Sequence, residues 1–221
     1  FFLALEGYAD AERVRAWPHG WARIGAVGRI LKVLRDADVE EVVMAGAVAR
    51  PSLTALRPDL KGARILARIG GKAMGDDSLL VAVIRAFEEE GFHVRGVGEF
   101  LADDDRAAEG VWTKIAPDER AEIDIARGMA VVHGLGALDI GQAAVVQQGV
   151  VLGVEAIEGT DALIARCGDL ARPGPGGVLV KAVKPSQDRR ADLPTIGPRT
   201  IDSAMRAGLR GVAVQAGNVV V

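Results

Sequence analysis

The stretch "IGAVGRILKVLRDADVEEVVMAGAV", residues 24–48, decides the fold class. Its first part places apolar residues at Ile24, Val27, Ile30, Leu31 and Leu34, the spacing of a helix with one apolar stripe. Its second part, "EEVVMAGAV", is a short apolar run ending in glycine and reads as a buried strand. The pattern then repeats. "SLLVAVIRAFEEEG", residues 78–91, is an amphipathic helix stopped by Gly91, and "FHVRGVGEFL", residues 92–101, is a second strand. Helix alternating with strand over ~100 residues predicts an α/β domain with a mostly parallel sheet, here residues 1–101. In such sheets ligands sit at the carboxyl ends of the strands.

Working outward, "ADDDRAAEGVWTKIAPDERA", residues 102–121, is polar and acidic and is read as a linker. Residues 122–221 form a second domain. "AEIDIARGMAVVHGLGALD" is a helix closed by Gly134 and Gly136. "AAVVQQGVVLGVEAIEGTD" holds two apolar runs split by Gln147-Gln148-Gly149, which predicts a hairpin. "TDALIARCGDLA" is a helix with Thr160 or Asp161 as N-cap. "VLVKAVK" is a strand, "PRTIDSAMRAGLRG" a helix, and "VAVQAGNVVV" supplies the last strands. Trp17, Trp21 and Trp112 read as packing residues.

The bulk properties bound the function. The chain has 221 residues, nearly half of them hydrophobic, with a net charge of −3, and its isoelectric point is near 5.7. No basic footprint for nucleic acid is present, so an anionic ligand must be met by local positive charge. Cys167 is the one cysteine, which excludes an intrachain disulfide and fits a reducing cytoplasm. His19, His93 and His133 are too scattered for a structural zinc site. No apolar run reaches the ~20 residues of a membrane span. The opening residues lack the features of a signal peptide. With no initiator Met and a strand-like ending, the chain reads as cut at both ends.

Several motifs fail. "RIGGKAMGDD" has Leu66 and Ala73 where a phosphate-cradling loop needs Gly and Ser or Thr. "GLGALDIG" has Asp139 at the sixth position of a dinucleotide loop and no strand before it. No nucleophile elbow is present.

Four motifs survive, each with two readings. In "VEAIEGTD", residues 154–161, Glu155, Glu158 and Asp161 stand at a strand-to-helix junction. They suit Mg²⁺, an oxygen-seeking ion, or else cap a helix and face solvent. In "KAVKPSQDRRADLPTIGP", residues 181–198, Lys181 ends a strand, and Lys184, Arg189 and Arg190 follow with Asp188 and Asp192. Arg and Lys suit phosphate contacts, and a carboxylate among cations stays ionised. The alternative is a solvated loop whose ion pairs contribute little. Pro185, Pro194 and Pro198 limit its conformations. "AGAVARP", residues 45–51, offers Gly46 for close backbone approach and Arg50 for a phosphate, or is a plain loop. "GDD", residues 75–77, is a helix cap or places Asp76 and Asp77 at a ligand.

Taken in order, "AGAVARP", "GKAMGDDSLL", "ALDIGQAAVV", "LGVEAIEGTDALI", "VLVKAVKPSQDRRADLPTIGPRTI" and "AGLRGVAVQAG" resemble the LpxI-type UDP-2,3-diacylglucosamine pyrophosphatases of lipid A biosynthesis. The resemblance runs from about residue 20 to the end. It implies a Rossmann-like N-terminal domain and a mixed α/β catalytic domain. A leading strand with its Gly-rich loop and a final helix of the family are missing from the sequence, and Ala47 stands where the family has Asn. The implied chemistry is Mg²⁺-dependent hydrolysis of UDP-diacylglucosamine, with water attacking the α-phosphorus, to give UMP and 2,3-diacylglucosamine 1-phosphate (lipid X). Asp192 is the implied catalytic aspartate, with Lys181 and Asp188 beside it. The substrate-binding expectation covers Lys184, Gln187, Arg190, Thr195, Gly46, Arg50, Asp76, Asp77, Gln142, Gly159 and Thr160. The metal expectation is Glu155, Glu158 and Asp161. The implied setting is the cytoplasmic face of the inner membrane, by peripheral contact, with a homodimer as one assembly. The rival readings are a non-catalytic nucleotide- or lipid-binding homologue and another nucleotide-sugar phosphotransferase.

Overall fold

The computed structural model describes residues 1–46, 48, 56–69, 76–102, 105–185, 188, 190 and 193–221, with backbone alone at 69 and 76–79. The chain is a mixed α/β protein and divides into two compact units, Phe1–Glu99 and Phe100–Val221.

The first unit opens with strand β1 (Phe2–Leu5) and the short helix α1 (Ala11–Val14). Strand β2 (His19–Ala22) follows and pairs with β1 in parallel. Helix α2 (Val27–Asp36) buries Ile30, Leu31 and Leu34, as its stripe predicts. Burying one such side chain contributes ~1.5–3 kcal/mol. Strand β3 (Glu41–Val43) follows, then α3 (Leu60–Ile69), α4 (Asp76–Glu89) and strand β4 (His93–Arg95), which pairs with β3 in parallel. Asp59 ties two helix starts together. One oxygen accepts from Gly28 N of α2 at 2.7 Å and the other from Gly62 N of α3 at 2.8 Å. A carboxylate there satisfies orphan amides and favours both helix dipoles.

Three sequence expectations need correction in this unit. β3 is not buried throughout, because Glu41 and Val43 face outward. The strand expected over 92–101 is only three residues long, and a 3-10 turn (Val97–Glu99) ends it. Its Gly96 amide donates to Glu99 Oε1 at 2.7 Å, which closes that turn. Trp17 is also more than half exposed, although it stacks at a tilt on Phe2.

The second unit starts and ends against itself, since Ala107 N donates to Val219 O and Val221 N to Asp105 O. Its elements are α5 (Glu119–Ala137), β5 (Ala143–Gln147), β6 (Val150–Val154), α6 (Thr160–Asp169), β7 (Val178–Lys181), α7 (Pro198–Arg206) and β8 (Gly211–Val214). The sheet order is β6-β5-β7-β8. β5 is antiparallel to β6 and to β7, while β8 is parallel to β7. Strands β6, β7 and β8 therefore share one direction. Their carboxyl ends, with the start of β5, line one edge.

Both faces of this sheet are covered, which is why its strands read as continuous apolar runs. Ala144, Val178 and Val180 pack with Ala121, Ile125, Met129 and Val132 of α5. Ala143, Val145 and Leu179 pack with Leu163, Ile164 and Cys167 of α6. Helix α5 approaches closely because Gly128 has no side chain. A Cβ there would stand 2.8 Å from Val180 Cβ. The predicted hairpin is present, with Gln148 and Gly149 at positive φ between β5 and β6. Buried Asp124 of α5 accepts from both their amides, at 3.0 and 2.6 Å.

The helix expected to stop at Gly134 and Gly136 continues to Ala137. Gly136 serves packing instead, since a Cβ there would lie 2.9 Å from Pro185 Cδ. The strand expected over 178–184 ends at Lys181. Trp112 is half-exposed and not a packing residue of the core.

Candidate active site

The carboxyl edge of the second unit's sheet gathers the polar residues. Lys181 is the last residue of β7 and is buried, 7% exposed. The strand register sets it beside Ala143 on one side and Val214 on the other. Its ammonium donates to Thr160 Oγ1 at 3.1 Å and to the Thr195 carbonyl at 3.0 Å. The Thr160 hydroxyl donates in turn to Glu155 Oε1 at 2.6 Å. The other Glu155 oxygen accepts from Gln142 N at 2.9 Å. One connected network thus joins the ends of β6 and β7, the start of β5 and the start of α6.

The Lys181–Thr195 bond also closes the loop that follows β7. Thr195 bridges Val220, Ile196 N donates to Val220 O, and Val220 N to Pro194 O. Lys184 lies in this loop with its side chain 10% exposed and donates to Asp139 Oδ1 at 2.6 Å. Asp188 accepts from the Arg190 amide at 3.0 Å and from its guanidinium at 3.0 and 2.8 Å. The guanidinium holds the Asp188 carboxyl below the usual carboxylate range, against a smaller opposing effect of burial. At Lys181 and Lys184 the solvated-loop reading fails, because neither cation is in open water. A buried cation is costly unless it is paired or hydrogen-bonded, and each lysine makes hydrogen bonds to fixed partners.

Helix α6 starts differently from expectation. Its N-cap is Gly159, at φ +80°, with no side-chain cap. Thr160 is the first helical residue and turns its hydroxyl to Glu155. Neither Thr160 nor Asp161 caps the helix. An uncapped helix start offers amide donors to an anion, and here a buried lysine stands beside it.

The three carboxylates expected at a metal behave separately. Glu155 spends both oxygens inside the protein. Glu158 pairs with Arg166 at 2.8 Å, and this guanidinium lowers its carboxyl below the usual range. Asp161 is exposed on the first turn of α6. No group of three acidic, His or Cys side chains able to hold a metal occurs among the described residues. A dedicated carboxylate cage does not fit these three residues. Mg²⁺ carried on phosphate oxygens does not need one, because this ion keeps its waters and uses one or two carboxylates.

The remaining expectations fall elsewhere. Asp192, Gln187 and Arg50 lie outside the described residues, as do the side chains of Asp76 and Asp77 in the first turn of α4. Gly46 follows β3 at φ +99°, in the first unit. Sequence reasoning missed Asp139 and Gln215. Gln215 accepts from Val183 N at 3.2 Å and fixes the loop after β7. In the sequence Asp139 stands out only as a failed position of a dinucleotide loop. Its partner is 45 residues away, so no local spacing could reveal it.

Buried and half-buried cations with an uncapped helix start, at the carboxyl ends of parallel strands, form the arrangement in which α/β proteins hold anionic ligands. The whole sequence points the same way. The LpxI N-terminal domain model matches residues 1–103 and the LpxI C-terminal domain model matches residues 108–221. The UDP-2,3-diacylglucosamine pyrophosphatase LpxI of Caulobacter vibrioides is 42% identical over 226 residues, covering 99% of this chain and 80% of that relative. The chain belongs to the LpxI family.

Proposed function

We propose that this chain is an enzyme that hydrolyses the pyrophosphate of UDP-2,3-diacylglucosamine, releasing UMP and 2,3-diacylglucosamine 1-phosphate. The observation that carries this reading is buried Lys181, hydrogen-bonded to Thr160 and Thr195 at the strand edge, in a chain so similar to a named pyrophosphatase. Lys181, Lys184 and Arg190 meet the phosphoryl oxygens, on which charge grows during hydrolysis. The α6 amides add a second set of donors. Asp192 orients the water that attacks the α-phosphorus. Mg²⁺, if bound with the substrate, would supply neutralisation of part of the pyrophosphate charge. A diacylated substrate places the reaction at the cytoplasmic surface of the inner membrane. The contact proposed is peripheral; no helix of the described residues is long and apolar enough to cross a membrane.

The test is turnover in ¹⁸O-labelled water. Attack at the α-phosphorus puts the label in UMP. Label in the lipid phosphate would overturn the site of attack, and UMP-free transfer to an acceptor would overturn hydrolysis. Lys181→Ala is expected to lower kcat by about a hundredfold or more, and Asp192→Ala to abolish UMP release. EDTA should stop the reaction and added Mg²⁺ restore it. Turnover undiminished in EDTA would remove the metal from the proposal.

A further inference from the structure

Lys184 is held from behind by the end of α5. The Asp139 carboxylate that pairs with it is 24% exposed, so the pair is largely out of water. Asp139 directly follows the helix C-cap, Leu138, and has a φ of 53°, a left-handed conformation that Asp tolerates better than most residues. The chain leaving β7 lies on the same turn. A Cβ at Gly136 would stand 2.9 Å from Pro185 Cδ and 3.1 Å from Lys184 Cα. The second Asp139 oxygen, Oδ2, is buried without a hydrogen-bond partner among the described residues. Among the described residues, the hydrogen bond this carboxylate makes is the one to the lysine. An exposed ion pair would contribute little. Here the loss of Lys184 would leave the Asp139 carboxylate largely desolvated.

We propose that Asp139 and Gly136 are positioning residues. Gly136 admits the Lys184–Pro185 backbone onto the end of α5, and Asp139 then fixes the Lys184 ammonium at the place where a phosphate group is bound. This rests on the reading of Lys184 as a phosphate ligand. Asp139 acts through Lys184 and touches no substrate atom itself.

The experiment compares Asp139→Ala, Gly136→Ala, Lys184→Ala and the Asp139→Ala/Lys184→Ala double variant. Each single change is expected to lower kcat/KM for UMP release by about ten- to a hundredfold, the scale on which small misplacements act. The double variant should be no worse than Lys184→Ala alone, because the two residues form one unit. Losses that multiply would overturn the proposal. A second readout does not depend on turnover. Lys184 is reductively methylated and followed by mass spectrometry against Lys114, which is exposed. Labelling of Lys184 is expected to be slow in the parent and faster in Asp139→Ala and Gly136→Ala, in variants that still unfold cooperatively. If Asp139→Ala does not fold, Asp139→Asn must move labelling in the same direction. Unchanged labelling overturns the proposal. If the parent releases no UMP, the functional reading fails, and the positioning role stands or falls on the labelling.

Discussion

Asp188 and Arg190 show how charge is managed at single residues. The guanidinium lowers the carboxyl pKa of Asp188 in the folded protein. Whatever stability the pair contributes is therefore present above the ordinary carboxylate range and lost as the pH falls through the depressed folded value. The pair is part-exposed, so that contribution is small. A ¹³C-detected carboxyl titration should find the Asp188 midpoint below that of a free aspartate, and Arg190→Ala should move it back up; a midpoint indifferent to Arg190→Ala would contradict the pairing. At this scale the sequence was half legible. Lys181 declared itself, because a lysine closing an apolar run at a strand end has nowhere apolar to put its charge. Glu155 suggested a metal ligand, yet it is satisfied by a threonine hydroxyl and an amide, and neither partner carries a sequence signature. Asp139 was silent because its lysine comes from another element.

At the scale of elements, the close approach of α5 to β7 sets the site, since β7 delivers Lys181. Gly128→Ala inserts a methyl group against Val180, an overpacking that should cost about 1–3 kcal/mol. The cost appears as a lower Tm, and Val180→Ala in the same chain should recover part of it, since the two sites share one space. Full additivity would mean that the methyl group is accommodated elsewhere. The hairpin was readable because Gln148-Gly149 interrupts two apolar runs. The end of α5 was not. Gly134 and Gly136 look like a stop signal, and nothing near them discloses that Pro185 packs on Gly136. The strand-to-helix junction at 154–161 was placed correctly, but its cap was misassigned. The Thr160 hydroxyl prefers a carboxylate and a buried ammonium to the backbone amide that a capping threonine would take.

At the scale of the molecule, the two units differ in construction. Among its described residues, Phe1–Glu99 holds two separate two-stranded parallel pairs. Phe100–Val221 has a four-stranded sheet covered on both faces and a chain start paired with its own end. A protein comprising residues 100–221 is expected to fold alone and to melt in one cooperative transition by circular dichroism. A broad, non-cooperative melt would show that its core depends on the first unit. The α/β class was legible from period alone, since α2 and the runs 143–154 carry strong patterns. The reversed direction of β5 was legible only through its hairpin. Cys167, the chain's one cysteine, faces Ala143, Val145 and Leu179 within the core, and burial raises its thiol pKa. A thiol so enclosed reacts only when α6 lifts from the sheet or the whole unit opens. The rate of its modification under native conditions is thus a built-in clock for the opening of this half of the protein, with no engineered probe required.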